Sequence, residues 1–278
     1  MQPCGWRASQ CAAMWAEAAP SCRWTSARIA GPSAGVVTAV GPDAEGRGGP
    51  LAVGDEVVVS PVPGGAYADA VTVPAANAVP KPAELPWPEA ASVLSVGATA
   101  LHALQFVAMK PGETLLVHGG SGSVGQLTVQ LASSAGVTVV ATAGARNHDL
   151  LRSFGALPVT YGPGLIDRVR EAAPQGVDAV VDTIGTDEAV DTSLALVADP
   201  SRIVSIAAFG RADTGIVLIS GDDPETHVRA NAWKTLFPAL VDGSLKIVIA
   251  KAFPLERAAE ALQFVRDGHA AGKVVLLP

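Results

Sequence analysis

Three glycines are spaced for one kind of chemistry. Gly120, Gly122 and Gly125 spell G-x-G-x-x-G inside TLLVHGGSGSVGQLTVQLASSAG, residues 114–136. A short apolar run at 115–117 precedes them, as a buried parallel strand would. Val124, Leu127, Val129, Leu131 and Ala132 then recur at helical spacing, and Gly136 stands where a helix would end. Strand, glycine turn and helix are the context that a dinucleotide-binding turn requires. Glycine is needed there because the chain turns tightly, the backbone approaches a pyrophosphate and the helix packs close to the strand. The helix start adds unpaired N–H groups and the positive end of its dipole.

The second element of such a site sets the choice of dinucleotide. A ribose 2′-hydroxyl is met by an Asp or Glu about 20 residues beyond the turn. Here that distance lands on Ala145 and Arg146, and the nearest acid is Asp149. A 2′-phosphate prefers a planar cationic fork to a carboxylate. NADPH over NADH is therefore the expectation, against the plainer reading of Arg146 as a solvated surface arginine.

The surrounding chain must position these residues. From residue 137 onward strands and helices alternate: 137–143, a helix from Asn147 to Phe154, then apolar runs at 157–161, 177–182 and 202–207. That order predicts an α/β fold with a doubly wound parallel sheet. Before the turn, short strands at 34–41, 51–59 and 65–74 are separated by Gly and Pro turns, predicting a small β unit. Pro80, Pro82, Pro86 and Pro88 read as a stiff connector into a helix near Glu89. Residues 255–268 read as an amphipathic helix and 272–277 as a last strand. Residues 1–30 hold all three cysteines and three of the five tryptophans but sustain no period of 2 or 3.6.

Composition narrows the partners. The 278 residues are 49% hydrophobic with a net charge of −7, which disfavours nucleic acid and anionic membranes as partners. The sequence shows no evident membrane span or secretory signal, and its odd, widely spaced cysteines fit no disulfide framework. A cytoplasmic protein acting on small molecules is expected.

With these residues assembled, residues 33–278 resemble the zinc-free, zeta-crystallin-like quinone oxidoreductase branch of the medium-chain dehydrogenase/reductase superfamily. The resemblance rests on AGVVTAVG (34–41), VGDEV (53–57), GAYAD (65–69), TALHAL (99–104), KPGETLLVHGGSGSVG (110–125), ATAGARN (141–147), VDAVVDTIG (177–185), FPLERAAEAL (253–262) and GKVVLL (272–277). It implies a GroES-like catalytic β domain at 1–96, an NADP-binding Rossmann domain at 97–238 and a return to the first domain at 239–278. It implies that Gly120, Ser121, Gly122, Val124 and Gly125 cradle the pyrophosphate, and that Arg146 and Tyr161 meet the 2′-phosphate. Thr99, Phe209 and Gly210 would lie near the nicotinamide, and Tyr67 near the substrate cleft. On sequence alone Tyr161, Phe209 and Tyr67 read equally as packing residues, Gly210 as a turn and Thr99 as an ordinary helix residue. The implied reaction is hydride transfer from NADPH to a quinone or electron-poor enone.

The zinc branch is disfavoured, because no cysteine follows Cys22 and Gly31-Pro32-Ser33 stands where that branch carries Gly-His-Glu. Short-chain dehydrogenases need Tyr-x-x-x-Lys, but Leu165 and Val71 stand four residues after Tyr161 and Tyr67. The apolar stretch 216–219 resembles a strand through which the family pairs subunits, so a homodimer is expected. The family's opening strands have no counterpart in the letters of residues 1–30. The first domain is therefore expected to be incomplete, with an NADPH-binding protein of little or no turnover as the alternative function.

Overall fold

The computed structural model describes residues 21–27, 33–60, 67–220, 227–268 and 270–278. The leader through residue 20, Gly31-Pro32 and Gly65-Ala66, on which expectations above rest, lie outside them. The chain opens with β1 (Ser21–Ala27), β2 (Ser33–Val40), a short hairpin of β3 (Glu45–Gly46) and β4 (Gly49–Pro50), β5 (Glu56–Val59), β6 (Val71–Pro74) and β7 (Ala78–Pro80). Five of these form one sheet in the order β6-β1-β2-β5-β7, with every pairing antiparallel. Strand β1 lies within residues 1–30, where the letters sustain no strand period. It lies between β2 and β6 and pairs with both, so backbone ladders on two edges hold it without an alternating side-chain pattern. Strand β7 was read as connector; ending in Pro80 at a sheet edge, it uses a place where a missing N–H is tolerated.

Helix α1 (Trp87–Val107) is the spine between two units. It touches β2 and β5 on one side and, on the other, strands β11 and β12 of the second sheet, defined next. By length and composition α1 could cross a membrane, which corrects the expectation that no such segment exists. It serves as a core helix, with 61% of its apolar window buried inside the protein.

The second sheet follows from β8 (Thr114–His118), α2 (Ser123–Ser134), β9 (Thr138–Thr142), α3 (His148–Ser153), β10 (Ala156–Val159), α4 (Leu165–Ala172), β11 (Ala179–Asp182), α5 (Asp187–Leu196), β12 (Ile203–Ser205) and β13 (Val217–Leu218). Its order is β10-β9-β8-β11-β12-β13 and all five pairings are parallel. The β8 run is continuously apolar because both its faces are covered. Leu115 and Val117 pack with Val129 and Ala132 of α2, while Leu116 packs with Val169 of α4 and Val190 of α5. The chain moves outward from β8 to β9 and β10, then returns to β11 on the other side of β8. That reversal opens a crevice beyond the carboxyl ends of β8 and β11, where ligands of such sheets bind.

The chain closes with α6 (His227–Val241), β14 (Ile249–Pro254), α7 (Ala258–Arg266) and β15 (Lys273–Leu277). Strands β14 and β15 pair in parallel, and β15 touches both β1 and α1. The boundaries drawn at 96/97 and 238/239 fall inside α1 and α6, which carry the chain across the junction.

Candidate functional site

The glycine turn is built to leave no room. A Cβ on Gly125 would stand 2.3 Å from the Gly119 carbonyl oxygen and 2.8 Å from Gly120 Cα, both backbone atoms. A Cβ on Gly120 would meet Ala141 Cβ of β9 at 2.8 Å. Gly119, absent from the expected set, takes φ +72°, and this left-handed step lets the strand turn into the helix. The turn is tied down by Gly119 N–H to Thr142 Oγ1 at 3.1 Å and Gly120 N–H to the Thr142 carbonyl at 2.9 Å. Buried Gln126 donates from Nε2 to the Ser121 carbonyl at 2.7 Å, holding the turn from beneath. Helix α2 begins at Gly122 with no side-chain cap. Its first N–H groups have no partner within the helix and face the crevice end of the sheet.

Two cavities flank this helix start. The larger, about 710 Å³, lies over the ends of β8, β9 and β10 and is bordered by Ser121, Arg146 and Tyr161. Arg146 sits exposed in the 3₁₀ turn Ala145–Asn147, its guanidinium donating to the Gly268 carbonyl at 3.5 Å. Gly144 lies beside the Tyr161 hydroxyl, 3.8 Å from where its Cβ would stand. Asp149, the nearest acid in sequence, is turned to Arg152 at 2.6 Å. Glu188 of α5, which sequence reasoning missed, also borders the cavity and accepts the Gly162 N–H at 3.0 Å. The C-terminal segment contributes Gly268, Ala270 and Ala271 to the rim.

The second cavity, about 620 Å³, brings together Thr99, Val124 and Phe209 with Ser95, His102 and Arg229. Ser95, Thr99 and His102 form one face of α1, a polar stripe at helical spacing that was visible in the sequence but passed over. The Thr99 hydroxyl donates to the Ser95 carbonyl at 2.9 Å, so its oxygen faces outward as an acceptor. Arg229 of α6 donates to the Ser220 carbonyl at 2.9 Å at the end of the cavity. Ser121 borders one cavity and Val124 the other, so the two lie on either side of the segment that leads into α2. Gly210 follows Phe209 but is not among the lining residues, and Tyr67, 39% exposed, borders neither cavity.

At the floor of the larger cavity His118 ends β8, opposite Asp182 of β11. Asp182 accepts the Ile184 and Gly185 N–H groups on Oδ1 and the Ser205 hydroxyl on Oδ2. Burial drives the His118 imidazole down to about 4, against the opposing pull of the Asp182 and Glu188 carboxylates.

Comparison with known proteins gives this geometry its place. The family described as zinc-binding dehydrogenase matches residues 159–276. The chain is 32% identical over 256 residues to the polyketide synthase GfsB of Streptomyces halstedii, covering 87% of this chain but only 4% of that synthase. A solved quinone oxidoreductase from Coxiella burnetii is 28% identical with TM-score 0.75, covering 88% of this chain and 78% of its own. A mycobacterial protein, Rv1454c, solved in complex with NADPH, is 27% identical with TM-score 0.77, covering 93% and 91%. The zinc-binding dehydrogenase match thus covers the C-terminal part of the chain, and most of the chain shares its fold with these two solved proteins. The expected α/β fold is present: a parallel dinucleotide-type sheet stands beside a smaller β unit. The zinc-binding dehydrogenase match covers a segment without a single cysteine, since the last cysteine is Cys22.

Proposed function

We propose that this chain is an NADPH-dependent, zinc-independent oxidoreductase that reduces a quinone or an electron-poor enone. The observation that carries the reading is the pair of cavities flanking the uncapped start of α2, with Arg146 in one and Thr99 in the other. The residues fit the cofactor: Gly120 and Gly125 leave the backbone bare where a Cβ would collide, and Asp149, the acid nearest Arg146 in sequence, is turned to Arg152. Ser121, Gly122 and Val124 would hold the pyrophosphate from the helix start, with Arg146 and Tyr161 on the 2′-phosphate. Thr99 and Phe209 would flank the nicotinamide. When bound, NADPH supplies the hydride.

The chain's own part is orientation. Thr99, its proton committed to Ser95, offers an acceptor oxygen rather than an acid. A quinone or enone that takes hydride at carbon becomes a phenolate or enolate, which water can protonate, so no strong general acid is required. The zinc-free assignment rests on the absence of any thiol beyond Cys22. Gly210 is proposed to act as the turn that presents Phe209. Tyr67 is proposed as a substrate-side residue, although it lines neither cavity.

Saturable quenching or enhancement of NADPH fluorescence, with NADH bound at least tenfold more weakly, is the expected result. Equal binding of the two cofactors contradicts it. Activity should survive chelators, and one zinc per chain by elemental analysis contradicts the metal-free reading. Strand β13 leaves one edge of the six-stranded sheet without a partner strand among the described residues, and we propose that a second copy pairs there. Light scattering should then give twice 28.1 kDa, whereas 28.1 kDa itself at micromolar concentration contradicts pairing.

A further inference from the structure

His118 is a buried group that the reading above leaves unused. It is 1% exposed, at the crevice end of β8, and borders the cavity that holds Arg146 and Tyr161. Its Nδ1 stands 3.4 Å from Thr142 Oγ1. The Gly119 N–H occupies one lone pair of that oxygen, and in the Nε2–H tautomer of His118 the Thr142 hydroxyl donates to Nδ1. A neutral imidazole that accepts at Nδ1 carries its own proton on Nε2. That Nε2 is buried and has no hydrogen-bond partner among the described residues.

None of the described groups around it stands within hydrogen-bond reach of Nε2. Both Asp182 oxygens are taken, by two backbone N–H groups and by Ser205. Glu188 Oε2 accepts from Gly162. Arg146 is a donor, and the Tyr161 hydroxyl lies out beside Gly144. Burial keeps the ring neutral near pH 7 despite the two carboxylates. An orphaned, buried donor is costly to keep unless something fills it, and bound ligands are one such filler.

We propose that His118 is a cofactor-binding residue, whose Nε2–H donates to an acceptor oxygen on the ribose or pyrophosphate of the dinucleotide in the larger cavity. The inference rests on the NADPH reading above. As a neutral donor it recognises the oxygen without adding charge, and it complements Arg146, which reads the 2′-phosphate at the rim. Because the Nε2 donor would meet a part shared by NADH and NADPH, its loss should weaken both by the same factor, unlike loss of Arg146.

The test combines affinity with a spectroscopic signature. His118→Leu should weaken NADPH and NADH alike by roughly 3–10-fold, the scale of one net hydrogen bond. His118→Gln, which returns an N–H donor near the Nε2 position, should recover most of the loss. In wild-type protein labelled with ¹⁵N-histidine, the His118 ring should show the Nε2–H tautomer, and saturation with NADPH should move the Nε2 proton downfield. Unchanged His118 ring resonances at saturation, or wild-type affinity in His118→Leu, overturn the proposal while leaving the NADPH reading intact. Absence of any saturable NADPH binding in the wild type overturns both.

Discussion

The two cavities are made in different ways. The larger is lined mostly by loops that follow consecutive strands β8, β9 and β10, so its residues are near one another along the chain. The smaller draws on α1, the start of α2, the end of β12 and α6, which are distant in sequence and meet only when the two units pack. The first is therefore built largely by the parallel sheet, with Gly268, Ala270 and Ala271 of the C-terminal segment added at its rim. The second depends on the junction, where Gly97 of α1 lies so close to α6 that a Cβ would fall 2.5 Å from Leu236 Cδ1. Binding of the adenosine end and placement of the substrate should respond separately to substitution.

The largest separation should come from the turn itself. Gly125→Val places branched carbon against backbone and should cost about 3 kcal/mol of stability, with NADPH affinity lost as well. Gly122→Ala, whose Cβ would stand 3.3 Å from the Gly119 oxygen, should be far milder in both measurements. Thermal melts and fluorescence titrations on the two variants compare them directly; equal effects would show that the close packing at Gly125 does not matter.

Acidity should act on the sheet side next. His118 has its folded-state value depressed to about 4 from 6.5, so above pH 6.5 neither state is protonated there and the group contributes nothing. As pH falls from 6.5 to 4 the unfolded chain takes up the proton first, and stability declines by about 3 kcal/mol. Urea denaturation at pH 7, 5.5 and 4 should show that decline, and His118→Leu should flatten its share of it. An identical slope in the variant would place the titration elsewhere.

Smaller effects should distinguish the cavities. Arg146→Ala should weaken NADPH by about 1–3 kcal/mol and barely touch NADH. Thr99→Val, in the other cavity, should leave NADPH affinity unchanged and alter quinone reduction by about 1 kcal/mol or less, as befits one acceptor oxygen. A loss of NADPH affinity in Thr99→Val equal to that in Arg146→Ala would erase the distinction between the two.

The same contrast explains what could be read from the sequence. The glycine turn was legible because its residues are contiguous and each answers to a local steric demand. Arg146 was legible because the strand and turn that carry it follow at a fixed distance from Gly125. Gly119 was missed because it precedes the named glycine pattern, although its φ of +72° makes the turn possible. The Ser95, Thr99 and His102 stripe was available as a period but looked ordinary within an apolar helix. The His118 orphan could not be seen, since it is defined by what Thr142, Asp182 and Glu188 do from three other elements. Strand β1 was hidden because two-sided pairing needs no pattern of its own. The membrane-length apolar run in α1 went unnoticed, and only packing against both sheets tells it from a span.

The central claim is that the two cavities serve one reaction, with NADPH held in the first and a quinone or enone reduced at the second. The direct measurement is NADPH oxidation driven by 9,10-phenanthrenequinone, run beside an NADPH titration on the same chelator-treated protein, with Arg146→Ala and Thr99→Val in parallel. The account predicts quinone-dependent oxidation that saturates with NADPH, a raised KM for NADPH in Arg146→Ala, and a changed kcat with unchanged NADPH affinity in Thr99→Val. Saturable NADPH binding with no oxidation above the protein-free rate would contradict it.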